Sequence, residues 1–327
     1  MTVNDFISEW NNDNSPYISV HTSGSTGKPK AMSVEKEKMI NSARVTCDFL
    51  GLKKGDTALL CLPLDYIAGK MMVVRALVRE LQLVEVEPSG HPLADLTVSP
   101  VFAAMTPMQV YNSIQNEKEY ELLKGIKHLI IGGGTVDKHL EKIILDFPNN
   151  VWSTYGMTET LSHIAMRRLS GRDTDSWYTP FDNVDVSIAD DGCLVIYAPY
   201  VCDILLKTND LVEIDKEDGR RFRVLGRKDN VICSGGIKIQ IEEVEQLLKK
   251  EITVPFAITK KSDGKYGEIV VLMAEQADEI VLREICERLL PKFWRPRLYI
   301  SVPCIPYTET GKPARSKIHE LAEAYHC

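Results

Sequence analysis

Read for its apolar and polar positions, the first two-thirds of the chain alternates between two rhythms. Short β-prone runs at 17–21, 57–62, 83–86, 101–105, 127–131 and 151–154 are separated by longer stretches of helical spacing at 34–50, 68–80, from about 108, and at 137–146. The first helix is expected to stop at Gly51, where glycine suits a helix end. This βαβα order predicts a largely parallel sheet covered by helices. Near Val184 the pattern changes. Runs at 184–188, 193–197, 211–214 and 221–225 are short and joined by turns such as Asp190-Asp191-Gly192 and Glu217-Asp218-Gly219. They predict an antiparallel, hairpin-rich segment. After Gly226 come a strand with a glycine turn (231–236), a helix (241–250), two strands, a helix (278–290), a strand (298–302) and a last helix (316–325). The expectation is a large α/β domain over 1–226, with a small antiparallel β segment, followed by a smaller α+β domain over 227–327. The boundary is placed at 227–230.

Composition narrows the function classes. At 327 residues, 44% hydrophobic and 26% charged, the chain can hold two cores and reads as a soluble globular protein. A net charge of -7 argues against general nucleic-acid binding, which draws its affinity from Lys and Arg on phosphates. Arg220, Arg221, Arg223 and Arg227 form a local basic cluster, the first three fitting a solvated hairpin. Cysteines at 47, 61, 193, 202, 233, 286, 304 and 327 form no C-x-x-C pair and have no histidine cluster beside them, so neither zinc nor disulfides are expected. The first ten residues contain Asp5 and Glu9 and lack the apolar core of a leader. The most apolar stretch, 66–78, is broken by Lys70 and Arg75 and is too short to span a bilayer. The expectation is a cytoplasmic protein with neither membrane nor nucleic-acid partners.

Local chemistry is strongest in the run Thr22, Ser23, Gly24, Ser25, Thr26, Gly27, Lys28, Pro29, Lys30. Hydroxyls and glycines in one loop expose donors to an anion, as in a phosphate cradle, although a flexible Gly/Ser turn shares that composition. It is not a Walker A loop, because Pro29 follows Lys28. The order S-G-S-T-G-x-P-K after a strand resembles the signature of the adenylate-forming superfamily, which includes acyl-CoA synthetases, luciferases and peptide-synthetase adenylation domains. Further segments resemble that family in the same order over almost the whole chain. Gly132, Gly133 and Gly134 resemble its adenine-contacting glycines. Tyr155-Gly156-Met157-Thr158-Glu159 matches its Y-G-x-T-E motif, in which the aromatic stacks on adenine, the Thr reaches the α-phosphate and the Glu helps hold Mg²⁺. Lys207-Thr208-Asn209-Asp210 resembles its T-G-D segment, whose Asp binds the ribose hydroxyls. Asn209 stands where Gly is usual and is expected to keep a left-handed turn. Gly226-Arg227-Lys228-Asp229 and the following Val231 to Gly236 resemble its hinge segment. There Arg227 would contact ribose, Asp229 would be the pivot, and Gly235 and Gly236 would line the thiol's path. Pro306-Tyr307-Thr308-Glu309-Thr310-Gly311-Lys312 resembles the loop carrying the catalytic lysine.

The resemblance implies an adenylate-forming fold and a two-step reaction, with ATP, Mg²⁺ and coenzyme A as cofactors. Lys312, Thr158 and Glu159 would be catalytic, and Glu159 would also be the metal ligand. The run from Met157 to Leu169 most resembles o-succinylbenzoate–CoA ligases of menaquinone biosynthesis, so a small aromatic acid is the expected substrate. Its second carboxylate would need a donor, and Lys70, Ser162, His163 and Arg167 are candidates. A solvated strand edge would equally account for Arg167. Tyr66 falls in the segment resembling the family's acyl-pocket motif, where many relatives carry His. Other acyl- or aryl-CoA ligases, an enzyme loading a carrier protein, and a non-catalytic nucleotide-binding module are the alternatives. Relatives have well over a hundred residues before the phosphate loop, and this chain has about twenty. Most of the usual first subdomain is therefore expected to be missing. The starting Met favours a naturally short ligase over a fragment, with a homodimer as one way to cover the exposed surface.

Overall fold

The computed structural model describes residues 1–12, 14–21, 31–308 and 312–325. Helix α1 (Val3–Trp10) opens with a capping box: Thr2 accepts from the Asp5 N–H while Asp5 accepts from the Thr2 N–H. It buries Phe6. Strands β1 (Tyr17–His21) and β2 (Ala31–Glu35) then pair antiparallel, with Tyr17 opposite Glu35. The Thr22 to Lys30 segment lies outside the described residues. Because Met32 and Val34 pair in that hairpin, helix α2 (Lys36–Leu50) starts two residues later than its apolar spacing suggests, and it ends on Gly51 at φ +65°.

The main sheet follows. In chain order come β3 (Thr57–Leu60), α3 (Ile67–Arg79), β4 (Gln82–Glu85), β5 (Phe102–Met105), α4 (Pro107–Ile114), α5 (Glu117–Gly125), β6 (His128–Ile131), α6 (Lys138–Ile144), β7 (Asn150–Gly156), β8 (His163–Arg168) and β9 (Thr179–Pro180). The seven strands lie in the order β4-β3-β5-β6-β7-β8-β9. The first five are parallel, and β8 and β9 add an antiparallel edge. Both faces of the sheet are covered, and for that reason its strands read as unbroken apolar runs. Ala58, Leu60, Phe102, Ala104 and Ile130 join the core containing Met39, Ala43, Cys47, Met71 and Val74 of α2 and α3. Their alternates Leu59, Ala103, Met105, Leu129 and Ile131 join Val110, Leu123, Leu140 and Ile144 of α4, α5 and α6.

A four-stranded antiparallel meander comes next: β10 (Asp185–Ile188), β11 (Cys193–Tyr197), β12 (Leu206–Ile214) and β13 (Phe222–Arg227). The last part of the chain carries β14 (Val231–Ser234), β15 (Ile237–Gln240), α7 (Ile241–Leu248), β16 (Phe256–Asp263), β17 (Gly267–Glu275), α8 (Glu279–Leu289), β18 (Leu298–Val302) and α9 (Arg315–Ala324). Its five strands have their own cores. Alternation along β17 sends Val270, Leu272 and Ala274 toward α7 and α8, and Val271 and Met273 toward Ile318 and Ala322 of α9. A 3₁₀ turn, Lys228–Asn230, separates this sheet from the meander. Among the described residues, no helix is long and apolar enough to cross a membrane, and the seven cysteines are unpaired.

Candidate functional site

Ligands of open parallel sheets sit beyond the carboxyl ends of the strands, where Gly132, Gly133 and Gly134 follow β6 and Tyr155 and Gly156 end β7. Beyond β6, the Gly132 N–H donates to the Met105 carbonyl at 3.0 Å. A Cβ on Gly132 would strike Thr154 Oγ1 across the sheet, so a larger residue would have to displace that hydroxyl. Gly133 has φ +78° with open space where its Cβ would stand, and Gly134 lies against Pro107. At the end of β7 the Tyr155 phenol donates to Asp210 Oδ2 at 2.5 Å, and its ring meets Phe222 edge-on at 5.0 Å. Burial and the neighbouring Asp210 carboxylate push that phenol well above its ordinary pKa. The next residue, Gly156, runs so close beneath β8 that a Cβ would collide with the Ser162 carbonyl and the His163 Cα. Thr158 and Glu159 lie in a 3₁₀ turn, Thr158–Thr160, with Glu159 exposed. The turn closes on Leu161, a buried residue held at φ +65°, a left-handed conformation that costs a branched side chain energy and persists only when its surroundings enforce it.

Asp210 is positioned by a defect in the sheet. Between the pairs Val195↔Lys207 and Cys193↔Leu211, strand β12 carries extra residues, and such a bulge re-aims side chains. The Asp210 N–H donates to Thr208 Oγ1 at 3.0 Å. The Lys207 to Asp210 segment is thus part of a strand, and Asn209 does not take the left-handed conformation expected of it. An extended backbone has no need of glycine, so Asn is accommodated there. Across the ladder, Asp210 faces Arg227. The Arg227 guanidinium lies 3.5 Å from Asp210 Oδ1 and grips Asp229 with two bonds of 2.9 Å. The same guanidinium holds the Asp229 carboxyl below its usual range against the opposing effect of burial. Gly235 and Gly236, at φ +56° and +83°, form the turn between β14 and β15.

Lys312 follows Gly311, which with Glu309 and Thr310 lies outside the described residues. Its backbone is clamped: the Thr308 N–H donates to the Lys312 carbonyl at 2.7 Å, and the Lys312 N–H to Thr308 Oγ1 at 3.1 Å. Burial, then the Arg227 guanidinium, lowers the Lys312 pKa, while Asp210 opposes the shift. The ammonium therefore shares an electrostatic environment with the Tyr155–Asp210–Arg227 group.

The expected acid-binding residues separate into groups. Tyr66 is the N-cap residue of α3. Lys70 is buried, donates to the Ser19 carbonyl at 2.6 Å and lies over the Phe6 ring. Arg167 pairs with Glu141 of α6 and covers the Tyr178 ring, apart from the other candidates. Ser162 and His163 belong to a buried polar cluster whose cation the sequence reading assigned no role. Arg75 of α3, 2% exposed, donates to Ser162 Oγ at 2.6 Å. Ser162 Oγ is 3.2 Å from His163 Nδ1, and His163 Nε2 is 3.1 Å from Thr46 Oγ1. No carboxylate pairs with Arg75 among the described residues, and its Nε is buried without a partner. Burial lowers its pKa to about 10. Burial, reinforced by Arg75, drives His163 well below its ordinary value and keeps it neutral. The available signal was compositional. A charge among Met71, Met72, Val73, Val74 and Ala76 cannot face water, and a cation kept in such surroundings needs a partner.

Four similarities to known proteins bear on these features. A family model described as "AMP-binding enzyme" matches residues 3–198. A 2-succinylbenzoate–CoA ligase of Listeria innocua is 28% identical, with 92% of this chain matching 69% of that protein. A crystal structure described as an acyl-CoA synthetase (AMP-forming)/AMP-acid ligase II-like protein from Dyadobacter fermentans is 32% identical. It has a TM-score of 0.65 over 96% of this chain and 92% of its own. The o-succinylbenzoate coenzyme A synthetase of Bacillus subtilis, in complex with ATP and magnesium ion, shares the fold. Its TM-score is 0.76 at 22% identity, over 91% of this chain and 69% of that one.

Proposed function

This chain belongs to the AMP-binding enzyme family, and from that premise we propose that it is an acid–CoA ligase whose acid carries a second carboxylate, most specifically o-succinylbenzoate. The observation that carries the choice of acid is the buried Arg75 guanidinium, bonded to Ser162 and lacking a carboxylate partner among the described residues. A cation left uncompensated in an apolar interior is costly unless a ligand supplies the missing charge. A substrate carboxylate on Arg75, Ser162 and His163 would do so, and an unbranched fatty acid would not. The identity of the relative in Listeria innocua agrees with this reading.

The chemistry divides in two. A carboxylate oxygen attacks the α-phosphorus of ATP, forming the acyl-adenylate and releasing pyrophosphate. The thiol sulfur of coenzyme A then attacks the acyl carbon, and AMP leaves as the thioester forms. The protein's part in the first step is placement and charge neutralisation. The glycines at 132–134 and Tyr155 would hold the base, Asp210 and Arg227 the ribose, and the Thr22 to Lys30 loop the outer phosphates. Lys312 would sit between the entering oxygen and the α-phosphate, with Thr158 donating to the same phosphate. An exposed lone carboxylate at Glu159 suits Mg²⁺, which prefers few protein ligands beside phosphate oxygens and water. When bound, the ion would neutralise phosphate charge. For the second step we assign residues 227–327 to a lobe that turns about Asp229, bringing Gly235 and Gly236 to the thiol. ATP and coenzyme A as substrates support a cytoplasmic reaction.

The test is coenzyme A-dependent AMP formation with o-succinylbenzoate, benzoate and a fatty acid. The expected order is o-succinylbenzoate well ahead of both. Faster turnover of the fatty acid would remove the assignment of the acid, and ATP binding without AMP formation from any acid would remove the ligase.

A further inference from the structure

Helix α7 is bound at one end to the 3₁₀ turn and at its middle to the lysine hairpin, through two carboxylates three residues apart. Glu242 accepts from Asn230 Nδ2 and from Gln240 Nε2, each at 2.5 Å, and Gln240 Nε2 also donates to the Arg227 carbonyl at 3.0 Å. One turn further on, Glu245, 9% exposed, is gripped at both oxygens by Arg315, with Nη1 and Nη2 each at 2.7 Å. Arg315 Nη1 also donates to the Ile258 carbonyl at 3.0 Å, and the Ile258 N–H donates to Glu245 Oε1 at 2.9 Å.

Arg315 begins α9, three residues after Lys312. The intervening chain is closed on itself: Tyr307 bridges Pro313, and the Ala314 N–H donates to the Pro306 carbonyl at 2.9 Å. The hairpin bearing Lys312 thus meets the rest of its lobe at a forked guanidinium–carboxylate pair. Two parallel bonds fix an orientation as well as a distance, which a lysine in the same place could not do.

We propose that Arg315, held by Glu245, is a positioning residue for the adenylation step: it makes the Lys312 hairpin, α7 and the 228–230 turn move as one body. This rests on the ligase reading above. Arg315 touches neither acid nor nucleotide in that scheme, so its effect is confined to the half-reaction that uses Lys312. Misplacing a reacting group by about 1 Å costs about 10²-fold in rate.

The test uses Arg315→Met and Arg315→Lys in the full chain. Met keeps the stem's packing, and Glu245 retains its bond from Ile258, so the lobe loses the fork and the guanidinium's bond to the Ile258 carbonyl. Adenylation, read as acid-dependent exchange of pyrophosphate into ATP, should fall about 10²-fold in kcat for Arg315→Met, with KM for acid and ATP little changed. Thioester formation from supplied acyl-adenylate should stay near wild type, and Arg315→Lys should restore only part of the loss. Equal loss in both half-reactions, or no loss in adenylation, overturns the assignment. Hydrogen exchange decides the case without turnover. The Lys312 and Ala314 amides should exchange at least about tenfold faster in Arg315→Met, for an opening made easier by about 1.4 kcal/mol, while β17 amides are unchanged. Unchanged hairpin exchange refutes the anchor even if wild type activates no acid, a result that would itself count against the ligase reading alone.

Discussion

Arg75 gives the candidate acid pocket a measurable trade between binding and stability. Its guanidinium is buried, and its Nε has no partner. Removing it takes an uncompensated charge out of the interior. Arg75→Met should leave the ligand-free protein as stable as wild type or more so, by about 1–4 kcal/mol in urea melts. The same change should raise KM for an acid with a second carboxylate on the order of 10²-fold, because truncating one side of a buried charged pair costs about 2–5 kcal/mol. KM for benzoate should hardly move. A loss shared equally by both acids would remove Arg75 from the pocket. Its neighbour His163 governs pH behaviour. Its folded pKa lies well below 6.5, the value it regains on unfolding. Below that pH the unfolded chain takes up a proton that the folded chain refuses. Stability contributed by neutral His163 is therefore complete above pH 6.5 and is lost as pH falls, at up to about 1.4 kcal/mol per pH unit. Urea melts between pH 7.5 and 5.5 should show this slope in wild type and a shallower one in His163→Gln. Identical slopes would show that His163 titrates normally.

At the level of elements, legibility followed periodicity. Strands β3, β5 and β6, helices α2, α3 and α6, and the α+β pattern of the last hundred residues were readable because each buries a regular stripe. What escaped was decided by partners distant in sequence. Strand β2 exists because residues 31–35 pair with 17–21, and the chain between them carries no apolar stripe to announce it. Strand β12 starts at Leu206, five residues before its apolar run, since pairing with β11 extends it through the polar Lys207 to Asp210 segment. Strand β8 lies in a stretch whose motif content, Met157 to Leu169, obscured its pairing with β7. The site divides in the same way. Motifs flagged Tyr155, Asp210, Arg227, Asp229 and Lys312; the structure links the first four by hydrogen bonds, and Arg227 and Asp210 shift the Lys312 pKa in opposite directions. Motif reading gave no warning that Arg167 would be bound to Glu141, or that Arg75 would be the cation beside Ser162. Which face a charged side chain takes depends on strand register, and register is set by pairing rather than by spacing.

The scale of the whole molecule is where the two half-reactions are separated. In the proposed division Lys312 belongs to the final lobe, yet its pKa responds to Arg227 and Asp210 of the meander. Under the proposed scheme the lysine serves the adenylation step. Lys312→Ala should lower the adenylation rate on the order of 10²–10³-fold, as losing one fixed charge at a reacting oxyanion does. Conversion of supplied acyl-adenylate to thioester should be largely intact, since the proposed scheme uses Lys312 in adenylation alone. Equal loss in both assays would reject the division of labour. The order of strands in the main sheet has a separate consequence, for how the molecule comes into being. Strand β4 closes one side of β3 and β5 takes the other, after which each of β6, β7, β8 and β9 is laid against the one made just before it. A chain emerging from the ribosome can thus add each strand to a finished neighbour without waiting for distant sequence. No partly made sheet needs to be opened again to admit a latecomer, which limits the time an unpaired edge is open to other nascent chains.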